Sequence, residues 1–329
     1  MKIAITGGSG FIGTQLCTLL KAQGHEIVII DIAPSKAFPN ERLDVDVTDL
    51  PALENALQGC EAIYHLAAEH RDDVQPIEKY YDVNVEGGKN VANAAEKLGI
   101  NKIIFTSTVA VYGLDKGAST EQDTPDPFND YGHSKWQSEQ AFNEWVQADP
   151  KRTLTTLRLV ATFGVGNRGN IYNLLNTIAS GKFIMIGNGN NHKSIAYVGN
   201  VAAFLNNVLH LNAGKHLYNY ADKPDLNMLD MVEQVYKTLE RKFPPKAPYI
   251  VGLLGGYVFD ILAKMTGRTF PISSIRVKKF CADTVVDASK LKETGFIPPF
   301  SLKEGLKEMI EAEFLNKKAN NTQNHAKAA

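Results

Sequence analysis

Cysteine is scarce in this sequence: Cys17, Cys60 and Cys281 are the three among 329 residues. Three dispersed thiols supply neither a disulfide framework nor the paired spacing of a zinc site, so no metal is expected and a reducing compartment suits the chain. Net charge is almost absent as well. With 35 Lys and Arg against 36 Asp and Glu, the chain lacks the positive excess of a nucleic-acid binder. Long apolar runs are missing too. The nearest, residues 249–265, is interrupted by Gly252, Gly255, Gly256, Asp260 and Lys264, so no helix of the ~18 residues that span a bilayer is expected. Met1-Lys2 leads straight into a short apolar strand and a glycine cluster rather than a secretory signal, and a cytoplasmic location is the expectation. Internal repeats are not evident.

What is present is an ordinary globular composition, 44% hydrophobic and 22% charged, which excludes disorder for the bulk of the chain. Residues 316–329 hold no apolar pattern and are expected to form a disordered tail. The near-zero net charge hides a division. Residues 1–150 carry 11 basic and 23 acidic side chains, and the remainder carry 24 and 13. A basic second half could steer an anionic ligand, or draw the protein to an anionic membrane surface.

Through the first half, short β-branched runs alternate with helical periodicity. Strands are expected at 2–6, 26–31, 62–66, 102–106 and 153–159, and helices at 11–23, 53–58, 80–98 and 131–148. Strands that are apolar throughout, separated by helices, predict a parallel sheet covered on both faces. After residue 168 the helical stretches 171–180, 198–211 and 229–242 are interleaved with short strands at 183–186 and 217–220. The expected architecture is α/β: a doubly wound parallel sheet over residues 1–167, then a smaller α/β substrate lobe over 168–315. Some segments of that lobe return to the first domain.

Gly7-Gly8-Ser9-Gly10-Phe11-Ile12-Gly13 follows the first strand and opens the first helix. Gly7, Gly10 and Gly13 serve a tight turn, the approach of a pyrophosphate to the backbone, and close helix–strand packing. The phosphates would then sit at a helix N-terminus. Asp31 closes the second strand, placed to accept hydrogen bonds from an adenosine ribose, which favours NAD. Lys36 lies close enough to leave NADP open.

A second constellation lies downstream. Tyr131-Gly132-His133-Ser134-Lys135 sets a phenol and an ammonium one turn apart on one helical face. The ammonium lowers the phenol's pKa and makes it a general acid/base for hydroxyl–carbonyl interconversion. Thr106, Ser107 and Thr108 place hydroxyls at the carboxyl end of a strand, the edge where such sheets bind ligands. Thr108 is placed to hydrogen-bond the reacting oxygen.

Taken in order, Gly7–Gly13, Asp31, Asp46-Val47, His65-Leu66-Ala67-Ala68, Asn84-Val85-Glu86-Gly87, Ser107 to Gly113, Tyr131 to Lys135 and Asp287 to Lys290 resemble the extended short-chain dehydrogenase/reductases of the NAD-dependent epimerase/dehydratase family. The resemblance runs from about Lys2 to Phe314 and implies a Rossmann domain. It also implies that Asp46 and Val47 contact the adenine, and that Leu66, Ala67 and Ala68 line the pyrophosphate. Asn84 would support the helix under the active site, and Val160 would lie in the strand beside the nicotinamide. Thr108, Tyr131 and Lys135 inherit the catalytic roles. Ala161 stands where many sugar-nucleotide epimerases carry Asn, leaving Asn170 as the substitute diphosphate contact. Ile184, in the stretch leading to the turn Gly187-Asn188-Gly189, matches the segment on which relatives lay a base. Lys193 and Arg276 match their diphosphate-binding cations. A homodimer through helices 80–98 and 131–148 is a further implication.

Thr108 is followed by Val109 and Ala110 rather than the Asp-Glu pair of the dehydratases, so water elimination is not expected. The resemblance then points to a nucleotide-sugar 4-epimerase or 4-keto reductase, with a UDP-N-acetylhexosamine of surface-polysaccharide synthesis as the preferred substrate. The alternative is a membrane-associated 3β-hydroxysteroid-type dehydrogenase, drawn from residues 249–268. That stretch reads either as a glycine-rich helix pair covering the substrate lobe or as a membrane-contacting patch among Lys242, Lys246, Lys264 and Arg268.

Overall fold

The computed structural model describes every residue except 72–73, 114–115, 182, 268–272 and 316–329. The expected disordered tail and Arg268 therefore lie outside the described residues. The chain divides into two compact units. Unit 1 comprises residues 1–162, 198–221 and 286–300, and unit 2 comprises 163–197, 222–285 and 301–329.

Unit 1 is built on seven parallel strands: β1 (Lys2–Thr6), β2 (Glu26–Ile30), β3 (Arg42–Leu43), β4 (Ala62–His65), β5 (Lys102–Thr108), β6 (Thr153–Leu159) and β7 (Gly214–Tyr220), in spatial order β7-β6-β5-β4-β1-β2-β3. In chain order the helices are α1 (Phe11–Ala22), α2 (Leu50–Ala56), α3 (Gly87–Leu98), α4 (Asp130–Gln147), α5 (Asn170–Ala179), α6 (Val198–Asn207), α7 (Met228–Thr238), α8 (Tyr249–Thr266), α9 (Ser274–Cys281) and α10 (Leu302–Ile310).

The strands form because they are β-branched and apolar along their length, and both faces are covered. Every residue of β4 and β6 is buried. The core joins Ile63, Ile103, Phe105 and Leu154 of the sheet to Val91 and Ala95 of α3 and Phe142 and Trp145 of α4. Strand order reverses between β1 and β4, where one run of crossovers proceeds to β3 and the other to β7. Such a switch leaves a crevice at the strands' carboxyl ends. The glycine loop follows β1 there, and Leu66-Ala67-Ala68 follows β4.

Several boundaries differ from the sequence expectation. The helix expected over 80–98 is three pieces: one turn at Glu78–Tyr80, a π-helical stretch at Tyr81–Glu86, and α3. β5 runs on to Thr108, so the hydroxyl residues belong to the strand itself. The helix pair expected over 249–265 is one continuous helix, α8, with mean hydropathy 1.3 and 6% of it buried. Its glycines lower helix propensity without ending the helix. Gly267, at φ +66°, is the residue that ends it.

Unit 2 packs α7 against α5 and α10, with Met231, Val232 and Val235 of α7 buried beside Leu306 and Met309 of α10. Two-residue strands pair Met185–Ile186 with Lys246–Ala247 and His192–Lys193 with Leu226–Asn227.

Candidate active site

At the end of β1, Gly7 takes φ +71°, and a Cβ there would lie 2.6 Å from the backbone nitrogen of Ala67. Only glycine lets the two strand ends approach this closely. Gly10 caps the start of α1 with no side chain to bond its first amides, so these donors remain for an anion. The hydroxyl of Ser9 is buried in the same loop, without a partner among the described residues. Asp31, one residue beyond β2, accepts from the Ser9 amide at 3.0 Å and from the Ala33 amide at 2.9 Å. Unfilled amides, an orphaned hydroxyl and an oriented carboxylate fit the phosphates and ribose of a dinucleotide.

Around this loop, Thr6 meets the Nδ1 of His65 at 2.7 Å, and the Thr6 hydroxyl accepts from the amide of Ala67. His65 is fully buried, stacked on Phe105, and desolvation lowers its pKa to about 3, so its ring is neutral. Asp46 accepts from the amide and hydroxyl of Thr48, both at 2.9 Å. The carbonyl of Val47 accepts from Asn90 at the edge of α3. Thr106 is buried and donates to the carbonyl of His65, while the amide of Val160 donates to Tyr220.

Tyr131 stands in the first turn of α4, whose start is fixed by Asn129: its side chain accepts from the Gly132 amide at 2.9 Å. The Tyr131 ring lies 6.3 Å from that of Tyr80. Beneath it, Asn84 works as a clamp. Its side chain donates to Ser134 of α4 at 2.8 Å and holds both the amide and the carbonyl of Glu69, and Ser138 donates back to the Asn84 carbonyl at 2.6 Å. Thr108 accepts from the Ala110 amide at 3.2 Å and so caps the turn Val109–Tyr112.

Lys135 is wholly enclosed, its ammonium 4.2 Å from the centre of the Phe105 ring. Burial lowers its pKa from 10.5 to about 7, and the Glu139 carboxylate opposes the shift. Glu139 is the group that sequence reading passed over. It lies one turn beyond Lys135, accepts from Ser107 at 2.5 Å, and holds Arg158 of β6 through two bonds of 3.0 and 2.6 Å. Arg158 also donates to Tyr112 at 2.8 Å, and Tyr112 donates to Asn219 of β7 at 2.7 Å. The signal was available: Tyr131, Lys135 and Glu139 recur at every fourth position, and an Arg inside an apolar strand needs a buried partner.

The remaining expected substrate residues lie in unit 2. Asn170 opens α5 and is exposed, as are Ile184 and Arg276. The ammonium of Lys193 donates to the carbonyls of Lys279 and Ala282 at 2.9 and 2.6 Å, fixing the end of α9. Unit 2 also holds a cavity of about 800 Å³, lined by Gly187, Asn188, Lys246, Tyr249, Lys278 and Cys281 among others.

A family model described as the NAD dependent epimerase/dehydratase family matches residues 3–221. The chain belongs to that family. It is an NAD-dependent enzyme of the extended short-chain dehydrogenase/reductase type, and NAD is its cofactor. Among curated proteins it is similar to N-acetyl-α-D-glucosaminyl-diphospho-ditrans,octacis-undecaprenol 4-epimerase of Escherichia coli O157:H7, at 48% identity over 96% of each chain. It is also similar to UDP-glucose 4-epimerase of Vibrio cholerae, at 28% identity over 94% of this chain and 95% of the relative. Among solved structures it resembles the UDP-Glc/GlcNAc 4-epimerase of Campylobacter jejuni, with a TM-score of 0.74 at 20% identity over 96% of this chain and 99% of that one. That likeness shows the fold.

Proposed function

We propose that this enzyme interconverts the C4 epimers of an N-acetylhexosamine carried on a polyprenyl diphosphate. The observation that carries the reading is 48% identity, across 96% of both chains, to a relative whose name states that substrate. It replaces the UDP-sugar expected from the family resemblance, and keeps the same chemistry at the same carbon.

In this reading Tyr131 as phenolate accepts the proton of the C4 hydroxyl, and Thr108 hydrogen-bonds the reacting oxygen. Lys135, one turn along α4, stabilises the phenolate when protonated. The Gly7–Gly13 loop, Phe11, Ile12, Asp31, Asp46, Val47 and the Leu66 to Ala68 segment would hold NAD, which would supply a reversible hydride acceptor for C4 and so leave no net redox change. The 4-keto sugar turns between the two transfers, and Tyr131 returns the proton to the oxygen of the opposite epimer. The Asn84 clamp ties the start of α4, with Tyr131 and Lys135, to Glu69 in the segment after β4. The diphosphate needs a cation. The exposed Arg276 is the preferred contact.

The test is to incubate the purified enzyme with NAD and polyprenyl-diphospho-N-acetylglucosamine in detergent, and to identify the sugar released by mild acid. N-acetylgalactosamine without accumulation of NADH is the expected product. Conversion of UDP-N-acetylglucosamine alone would return the substrate to a nucleotide sugar. Inertness toward both would remove the epimerase reading.

A further inference from the structure

Helix α8 turns its apolar surface outward. Ile250, Leu254, Val258, Ile261 and Met265 are all exposed, Leu254 and Ile261 at 60% and Met265 at 78%. Ile275 on α9 is exposed as well. The opposite stripe of α8 is the one that packs. Gly256, its single buried residue, is pressed so close to Ser274 that a Cβ would lie 2.7 Å from the Ser274 backbone. Four residues on, Asp260 accepts from the Ser274 amide at 3.2 Å. Four residues back, Gly252 abuts Ile186. The lone acid of the helix is thus turned inward, and its outer face is hydrocarbon.

The surroundings of that face are cationic. Residues 241–281 contain eight Lys and Arg and one acid, Asp260. Lys242, Lys246, Lys264, Lys278 and Lys279 are exposed, and the Lys278 ammonium stands 5.7 Å from the centre of the Tyr257 ring at the margin of the apolar stripe. An apolar stripe bordered by lysines and a tyrosine matches the boundary between acyl chains and phosphate headgroups. A free protein surface rarely carries so large an apolar patch.

We propose that α8 lies flat in the surface of an anionic phospholipid bilayer, with Leu254, Val258, Ile261 and Met265 among the acyl chains and Lys264 and Lys278 at the lipid phosphates. The in-plane orientation follows from the packed stripe. A spanning α8 would carry Asp260 and the attached cationic helix α9 into hydrocarbon, where charged groups are disfavoured. The inference stands on this helix and not on the lipid-linked substrate. An enzyme so placed would meet a membrane-anchored substrate by diffusion in the plane.

Flotation of the full-length protein with vesicles tests it, using phosphatidylcholine alone or phosphatidylcholine mixed with phosphatidylglycerol and containing no sugar lipid. The expected result is flotation with the mixed vesicles, falling about tenfold on neutral vesicles or in high salt. Leu254→Glu combined with Ile261→Glu should remain in solution while keeping the thermal midpoint and NAD affinity of the parent. Lys264→Glu combined with Lys278→Glu should behave like the parent in high salt. Parent protein that stays in solution with both vesicle types overturns the proposal. So does light scattering that shows a dimer, dispersed by the Leu254/Ile261 variant, with no flotation, since a second copy would then cover the face. Because the vesicles lack substrate and the epimerase assay uses detergent, either reading can fail while the other survives.

Discussion

Two helices of this enzyme have the same length and opposite designs. α4 and α8 each run 18 residues. α4 draws Ser134, Lys135, Ser138 and Glu139 inward, and every one of them is buried. α8 buries a single glycine and presents leucine, isoleucine, valine and methionine to the outside. Burying a charge is costly unless it is paired, and exposing hydrocarbon forgoes the main driving force of folding. On our proposals each helix departs from the usual pattern where it has something else to meet: reacting atoms for α4, and a lipid surface for α8. The lesson is that polar atoms inside and apolar atoms outside both locate function, and that the two need not occur on one element.

The contrast can be broken first at Tyr131. Tyr131→Phe removes the proposed acid/base and should lower turnover by about 10²–10⁴-fold, with NAD affinity retained in a fluorescence titration. Retained turnover would assign the proton transfer elsewhere. Next is Glu139→Gln, which leaves Arg158 as an uncompensated buried charge. The expected loss is about 3–5 kcal/mol in denaturant unfolding, and a loss below about 1 kcal/mol would mean that the network carries little of the fold. Third is the pH dependence of Lys135. Its pKa is about 7 when folded and near 10.5 when unfolded, so between those values the unfolded chain binds more protons. Stability must therefore rise with pH across that window. Lys135→Met should flatten the rise and increase stability at pH 7, which parallel melts at pH 7 and 10 would read. Smaller is Asn129→Ala, which strips the cap of α4 and should cost about 1 kcal/mol. Smallest is Leu254→Ser on α8. Because that side chain is exposed, the midpoint should move by no more than about 0.5 kcal/mol, and a larger fall would mean that something in the protein already covers the face.

Local pattern made part of this molecule legible from sequence. The glycine loop, Asp31 and the Tyr131–Lys135 pair are each defined by spacing within a strand–turn–helix segment, and the alternation of apolar strands with helices pointed to the parallel sheet. The Ser107–Glu139–Arg158–Tyr112 network was not legible in that way, because sheet register and a crossover helix bring together residues up to 46 positions apart. α8 misled for the converse reason. Its glycines look like breaks, whereas Gly256 is where the helix touches Ser274 most closely. The Asn84-Val85-Glu86-Gly87 motif was legible, but the π-helical form of that stretch was not.

The path of the chain through its two units has one more consequence. β7 pairs with β6 along seven registered positions, yet 54 residues separate the end of β6 from the start of β7. A protein shortened to residues 1–162 would expose β6, whose seven residues are all buried in the whole molecule, as a raw sheet edge ready to recruit strands from other chains. The cofactor half therefore cannot be inherited or transplanted as a contiguous cassette.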